Sequence, residues 1–85
     1  MAYYFKPSAV KDLKRLAKPV QQRIIHKLDF YVNSSDPLRF AKPLRDKSFG
    51  EYRFRIGDYR VIFDIDPREK IIIVLAIGHR KDIYK

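Results

Sequence analysis

The stretch YRFRIGDYRVIF, residues 52–63, decides how this chain folds. Apolar and basic side chains alternate strictly over its first five residues, which is the period-2 pattern of a half-buried β-strand. Gly57-Asp58 then supplies a two-residue turn with glycine first, which suits a type II′ hairpin. This turn fixes the register of the two strands. We expect three facing pairs across the hairpin: Ile56 with Tyr59, Arg55 with Arg60, and Phe54 with Val61.

The same register places Arg53, Arg55 and Arg60 on one face of the hairpin. Like charges directly opposite each other destabilise a strand pair, so a sequence selected for folding alone would avoid facing arginines. We therefore interpret this face as a surface that binds a polyanion. The alternative is an ordinary solvated face, because alternating charge is common on exposed sheets.

Composition agrees with a polyanion-binding domain. The 85 residues make one domain, residues 1–85, and the 46% hydrophobic content is that of a globular protein rather than a disordered one. The formal net charge of +9 indicates nucleic acid, an acidic partner or a membrane surface as the binding partner.

Several function classes are disfavoured by what the sequence lacks. No apolar run approaches the roughly 20 residues that span a bilayer, and residues 71–77 are only strand length. There is no cysteine, so no disulfide or thiolate zinc site can form, and the two histidines are too far apart to suggest a metal site. We expect no cofactor and no membrane insertion. A cytoplasmic location is the default, because the N-terminus does not resemble a signal peptide.

Two helices are predicted before the hairpin, after a short strand at residues 2–6. Ser8 is the expected N-cap of a first helix that runs to about Ala17, and Pro19 opens a second helix that ends near Asn33. The apolar stripe of the first helix is Val10, Leu13 and Ala17, flanked by Leu16. The stripe of the second is Val20, Ile24, Leu28, Tyr31 and Val32.

The remaining segments complete the fold prediction. Residues 38–50 are ambiguous, because Pro43 should block a regular element and residues 48–50 favour a turn. Residues 71–77 are apolar at every position, which predicts an inner strand. The sequence thus predicts an α+β fold in the order β-α-α-β-β-β, with an antiparallel helix pair packed on a small, mainly antiparallel sheet.

Residues 52–63, together with GHRKDIY at residues 78–84, resemble the RelE/ParE toxin superfamily. These are small basic toxins of bacterial and archaeal toxin–antitoxin modules. The apolar last strand, the basic helix pair and the chain length also fit, so the resemblance covers essentially the whole chain and implies a RelE-like fold.

The resemblance implies a function as well. RelE-type members enter the ribosomal A site and cut mRNA, as the 2′-hydroxyl attacks the adjacent phosphate to leave a 2′,3′-cyclic phosphate and a 5′-hydroxyl. ParE-type members share the fold but inhibit DNA gyrase. Both are silenced by an antitoxin that wraps the toxin. We therefore expect a ribosome-dependent mRNA endoribonuclease that forms a hetero-oligomer with a RelB-like antitoxin. The alternatives are a ParE-like gyrase inhibitor and a degenerate member that only binds RNA or antitoxin.

The RelE pattern assigns catalytic positions to particular residues of this chain. The matching positions are Arg53, Arg55, Arg60, Arg80 and Tyr84. The best-known version of the pattern has lysines where Arg53 and Arg55 stand, and arginine practically cannot lose its proton to act as a base. His79 is therefore the candidate base, since imidazole titrates near neutrality. Tyr84 is expected to stack on a nucleobase or to orient the nucleophile, and Arg80 to stabilise the leaving oxygen.

Further basic residues are candidates for RNA contact. They are Lys81, after the last strand, and Lys11, Lys14 and Lys18, in and beside the first helix. The simpler interpretation of the helix lysines is a solvated face. Likewise, His79 taken alone would be a surface histidine, and Tyr84 could pack against the end of the chain.

Overall fold

The structure is a computed structural model that describes residues 1–83. The elements follow one another in this order: β1 (Ala2–Phe5), α1 (Pro7–Lys14), α2 (Lys18–Asn33), a 3-10 helix (Pro37–Phe40), β2 (Ala41–Pro43), β3 (Tyr52–Ile56), β4 (Tyr59–Asp66) and β5 (Ile71–His79). Neither helix in this part of the chain has the length and apolar character that crossing a membrane requires.

The hairpin of β3 and β4 has the predicted register. Arg55 pairs with Arg60, and the pairs on either side of it are also those expected from the sequence. Gly57 has a φ of 58°, whereas Asp58 has a negative φ. A positive φ at the first turn residue alone is typical of a type II′ turn, which glycine adopts without strain.

The sheet has five strands in the order β1-β5-β4-β3-β2. Strand β5 lies between β1 and β4, so the prediction of an inner strand is confirmed. It pairs in parallel with β1 and antiparallel with β4. The α+β class and the mainly antiparallel sheet are therefore as predicted.

Strand β2 is an addition to the predicted order, and the expectation that Pro43 blocks a regular element was wrong. Ala41, Lys42 and Pro43 pair with Phe54, Arg53 and Tyr52 of β3. The strand is short and lies at the edge of the sheet, where a proline without an N–H can be tolerated.

Helix α1 differs from its prediction at both ends. It begins after the N-cap Lys6, so Ser8 is not the cap, and it ends at Lys14 instead of Ala17. Ser8 Oγ donates a hydrogen bond to the Leu75 carbonyl oxygen at 3.0 Å, and Asp12 Oδ2 accepts one from the Ile77 N–H at 3.0 Å. Strand β1 pairs with β5 only as far as Val74 and does not reach Leu75 and Ile77. The side chains of α1 therefore bond to the backbone groups of β5 that have no β1 residue beside them.

Both helices contribute to the core on one face of the sheet. In α2 the predicted stripe is confirmed, with Ile24 and Leu28 fully buried and Val20 partly buried. In α1 the buried residue is Ala9, whereas Ala17 lies beyond the helix and is exposed. The prediction for α1 was wrong at Ala17 because the helix ends one turn earlier than expected.

The opposite face of the sheet, which we call the open face, is partly covered by the loop of residues 44–51. Ile62 is only 1% exposed although it points away from the helices. Gly50 lies against it with a φ of 148°, and a Cβ at Gly50 would come within 2.7 Å of Ile62 Cγ2. Glu51 and Asp64 anchor the loop, since the Glu51 N–H donates to Asp64 Oδ1 at 2.8 Å.

Candidate nucleic-acid interface

The open face carries the three arginines of the hairpin. Arg53, Arg55 and Arg60 alternate along β3 and β4 with Phe54 and Val61, which are fully buried beneath the helices. Arg55 is exposed and lies directly opposite Arg60. The predicted clustering of positive charge on one face of the hairpin is therefore present in the structure.

The β3–β4 turn orients Arg60 and brings Arg80 close to it. Arg60 Nη1 donates to the carbonyl oxygens of Gly57 at 3.1 Å and Tyr59 at 3.0 Å. The Arg80 N–H donates to the Asp58 carbonyl oxygen at 2.7 Å, and Arg80 Nε lies 3.8 Å from Asp58 Oδ1. This ion pair is solvent-exposed and therefore weak, but the backbone bond holds residue 80 at the turn. Two arginines distant in sequence thus lie at the same end of the sheet.

His79 lies on the helix side of the sheet, not on the open face. It pairs with Tyr59, and the two rings are 5.5 Å apart in an edge-to-face arrangement. Tyr59 packs against the core beneath the helices. His79 also lines a cavity of about 560 Å³ beside α1, together with Asp12 and Arg15. Its Nδ1 accepts a hydrogen bond from the Lys81 N–H at 3.1 Å.

A shift in strand register explains the position of His79. Phe63 pairs with Val74, but its neighbour Ile62 pairs with Ala76, so Leu75 is an extra residue in β5. Side chains alternate between the two faces of a strand, and one extra residue exchanges the faces of all residues that follow. If side chains alternated regularly from Val74 onward, with no shift in pairing, His79 would point to the same face as Arg60.

The structure adds a fourth cation to the open face that the sequence analysis missed. Lys42 of β2 pairs directly with Arg53 and so shares its face. The two residues line a cavity of about 450 Å³ together with Pro43, Leu44, Arg45, Asp46 and Phe49. No periodic pattern in residues 38–50 predicted β2, and only the basic residues at positions 39, 42, 45 and 47 could have drawn attention to this segment.

Of the other predicted site residues, three lie on the helical layer, one lies in the turn after β5 and one lies outside the described chain. Lys11, Lys14 and Lys18 are exposed on the helical layer, and Lys81 is exposed in the turn after β5. Tyr84 lies outside residues 1–83. Within that range, no three His, Asp or Glu side chains are grouped as a metal site would require.

Comparison with known proteins agrees with the fold. The model of the family described as the ParE toxin of type II toxin–antitoxin system, parDE, matches residues 3–84. Toxin RelG of Mycobacterium tuberculosis is 33% identical over 81 residues, which are 95% of this chain and 92% of that protein. Toxin RelE of the same organism is 31% identical over 78 residues, 92% of this chain and 79% of that protein.

Two solved structures have similar backbones. One is the toxin–antitoxin complex RelBE2 from Mycobacterium tuberculosis, with a TM-score of 0.76 and 30% identity over 93% of this chain and 96% of that chain. The other is the archaeal RelE–RelB complex from Pyrococcus horikoshii, with a TM-score of 0.72 and 27% identity over 95% of this chain and 96% of that chain. This chain belongs to the RelE/ParE family of toxins from type II toxin–antitoxin systems.

Proposed function

We propose that this toxin is a ribosome-dependent endoribonuclease that cleaves mRNA in the A site. In this reaction the 2′-oxygen bonds to the adjacent phosphorus, the bond from phosphorus to the 5′-oxygen breaks, and the products are a 2′,3′-cyclic phosphate and a 5′-hydroxyl. The proton of the 2′-hydroxyl is removed and the 5′-oxygen gains one, while negative charge builds up on the phosphorane. The facing pair Arg55–Arg60 is the observation that supports this proposal most strongly.

The arginines of the open face suit the stabilisation of that charge. Guanidinium groups bind phosphate oxygens through two parallel N–H bonds and stay protonated at any physiological pH. Arg60 is held at the turn by the carbonyls of Gly57 and Tyr59, so its orientation is set before the substrate binds. Such preorganised donors are commonly the largest contribution to a rate enhancement. We assign phosphate binding to Arg53, Arg55 and Arg60, with Arg80 at the leaving oxygen.

His79 is a weaker candidate for the general base than the sequence suggested. It shares the face of Tyr59, so the sheet separates its ring from a phosphate bound between Arg55 and Arg60. A general base must come within hydrogen-bonding reach of the proton that it removes. We therefore propose that the arginine face supplies most of the catalysis and that His79 contributes less than Arg60.

The proposed partners follow from the family and from the charge. The RelBE2 and archaeal RelE–RelB structures are complexes with antitoxins. A net charge of +9 would favour both an acidic antitoxin and ribosomal or messenger RNA. We propose a RelB-like antitoxin that forms a hetero-oligomer with this toxin, and a site of action at cytoplasmic ribosomes.

Cleavage of mRNA during in vitro translation tests the proposal. Sequencing of RNA 5′-ends should reveal new ends within codons when the wild-type toxin is added. Arg60→Ala and Arg80→Ala should each lower cleavage by about 10²-fold or more, as loss of a transition-state donor does. Arg68→Ala is the matched control, because Arg68 is an exposed arginine in the turn between β4 and β5, far from Asp58. Intact mRNA at saturating wild-type toxin would contradict the proposal.

Inhibition of DNA gyrase is a second candidate, favoured by the match to the ParE family model over residues 3–84. A supercoiling assay distinguishes the two functions. Gyrase poisoning without mRNA cleavage would replace the first proposal, and that activity should then survive Arg60→Ala, since no phosphate has to be stabilised. RNA binding without cleavage or gyrase poisoning would indicate a degenerate family member.

A further inference from the structure

We propose that the cavity lined by Lys42, Leu44, Phe49 and Arg53 is a second nucleotide site, in which Phe49 stacks on a base next to the cleavage site and Lys42 binds that nucleotide's phosphate. We call it the loop site. This inference rests on the proposed function, because RNA is its ligand. The cavity has a volume of about 450 Å³, which lies within the range of about 300–1,000 Å³ that is typical of small-ligand pockets.

The loop site continues the cationic surface of the open face. Lys42 pairs with Arg53, and Arg55 pairs with Arg60, so two rows of facing cations lie side by side on the sheet. Residues two apart in a strand are separated by roughly 7 Å, a distance comparable to that between successive phosphates of an extended strand of RNA. When Arg55 and Arg60 bind one phosphate, the adjoining nucleotide therefore lies near Lys42 and Arg53.

Phe49 gives the loop site a surface for a base. Its side chain is 40% exposed although the residue lies beside buried Leu44 and Gly50. Proteins that bind single-stranded RNA combine a basic groove with aromatic side chains on which bases stack. The combination of Phe49 with Lys42, Arg45 and Arg53 matches that arrangement. Stacking of this kind does not depend on the identity of the base.

The loop that carries Phe49 is anchored on both sides. Before it, Asp46 Oδ1 accepts hydrogen bonds from the Ser48 N–H at 2.9 Å and from Ser48 Oγ at 2.6 Å. After it, Gly50 packs on Ile62, and Glu51 bonds to the sheet. The two Ser48 bonds engage the Asp46 carboxylate, which lines the cavity, so Asp46 serves as a turn anchor. The cations that line the same cavity are the groups proposed to bind the ligand.

Base stacking can be measured directly with 2-aminopurine, whose fluorescence is quenched when it stacks. Ribosomes are programmed with an mRNA that carries a 2′-O-methyl group at the cleavage position and 2-aminopurine one nucleotide to either side. Wild-type toxin should quench one of the two probes. Phe49→Ala should abolish that quenching and weaken toxin binding about 10- to 100-fold, whereas Phe49→Trp should preserve both. Phe30→Ala is the matched control, because Phe30 is 57% exposed on α2 and does not line the cavity.

Lys42→Ala tests the phosphate contact independently of Phe49. It still tests the loop site if the Phe49→Ala variant fails to fold. Binding of this variant should depend less on salt. The slope of the logarithm of the binding constant against the logarithm of the salt concentration should be smaller in magnitude by about 0.7, the value for one phosphate contact on a single strand. If wild-type toxin cuts mRNA but neither Phe49→Ala nor Lys42→Ala changes quenching or salt dependence, the loop site is refuted and the proposed function stands. Quenching that depends on Phe49 without any cleavage would refute the nuclease and retain the site. A toxin that neither binds nor cuts mRNA would overturn both.

Discussion

Arg55 and Arg60 face each other across β3 and β4, on the side of the sheet that the helices leave open. Two like charges at directly opposed positions weaken a strand pair, so this arrangement lowers the stability of the hairpin. It also places two positive charges side by side on that face. We therefore expect this pair to lower the stability of the fold while it supports the proposed function.

We expect Arg55→Thr to stabilise the fold by about 0.5 kcal/mol, because it removes the repulsion and introduces a residue that favours strands. Urea unfolding measures this change. Mutating Arg60→Thr in the same chain should add little, since the repulsion is already gone, and a double-mutant cycle isolates that coupling. Additive effects would mean that the two arginines do not repel each other measurably. Cleavage of mRNA should fall in each variant even as stability rises.

His79→Ala should reduce mRNA cleavage by less than 10-fold, because its ring lies on the helix side of the sheet. Arg60→Ala should reduce cleavage about 10²-fold or more. The pH dependence of single-turnover cleavage gives the sharper comparison. It should be unchanged in His79→Ala, whereas loss of an inflection near neutral pH would restore His79 as the general base.

Gly50→Ala should destabilise the protein by about 1–3 kcal/mol, since the added Cβ would overlap Ile62 Cγ2 and the φ of 148° is unfavourable to alanine. The matched control is Gly57→Ala. Gly57 also has a positive φ, but the nearest atom to an added Cβ there is the end of the Arg23 side chain at 3.6 Å. Thermal or urea unfolding should therefore show the larger loss at Gly50, and equal losses would mean that the loop adapts without cost.

The Tyr3–Asp29 contact should make stability sensitive to alkaline pH. Tyr3 donates a hydrogen bond to Asp29 Oδ1 at 2.7 Å, which ties β1 to α2. Burial, together with this hydrogen bond and the nearby carboxylate charge, raises the pKa of Tyr3 from 10.0 to about 12. The folded state therefore holds the phenol proton more tightly than the unfolded state. The stabilisation is complete below pH 10 and is lost as the pH rises toward 12.

Tyr3→Phe tests this contact. The variant should lose about 1 kcal/mol of stability at neutral pH, and the difference from wild type should shrink between pH 10 and pH 12. Ultraviolet titration of the wild-type tyrosines should include a late-ionising group that is absent from Tyr3→Phe. A pH-independent difference between the two proteins would show that the phenol ionises at its ordinary pKa.

Local patterns in the sequence were enough to predict the hairpin, its register and the face of its arginines. Strict alternation determines which side chains share a face, and the glycine-first turn determines which residues pair. The apolar run of β5 likewise predicted an inner strand without knowledge of its neighbours. The buried stripe of α2 was predictable for the same reason, because its spacing depends only on helix geometry.

Only the tertiary structure decided the position of His79 and the existence of the loop site. The extra residue Leu75 in β5 moves His79 to the helix side, and nothing in that apolar run marks where strand pairing shifts. Strand β2 has no periodicity of its own and exists because β3 offers it a free edge. Pairing between distant segments is set by the whole sheet. Local sequence therefore determined where the arginines of the hairpin lie, and long-range packing determined which residues lie beside them.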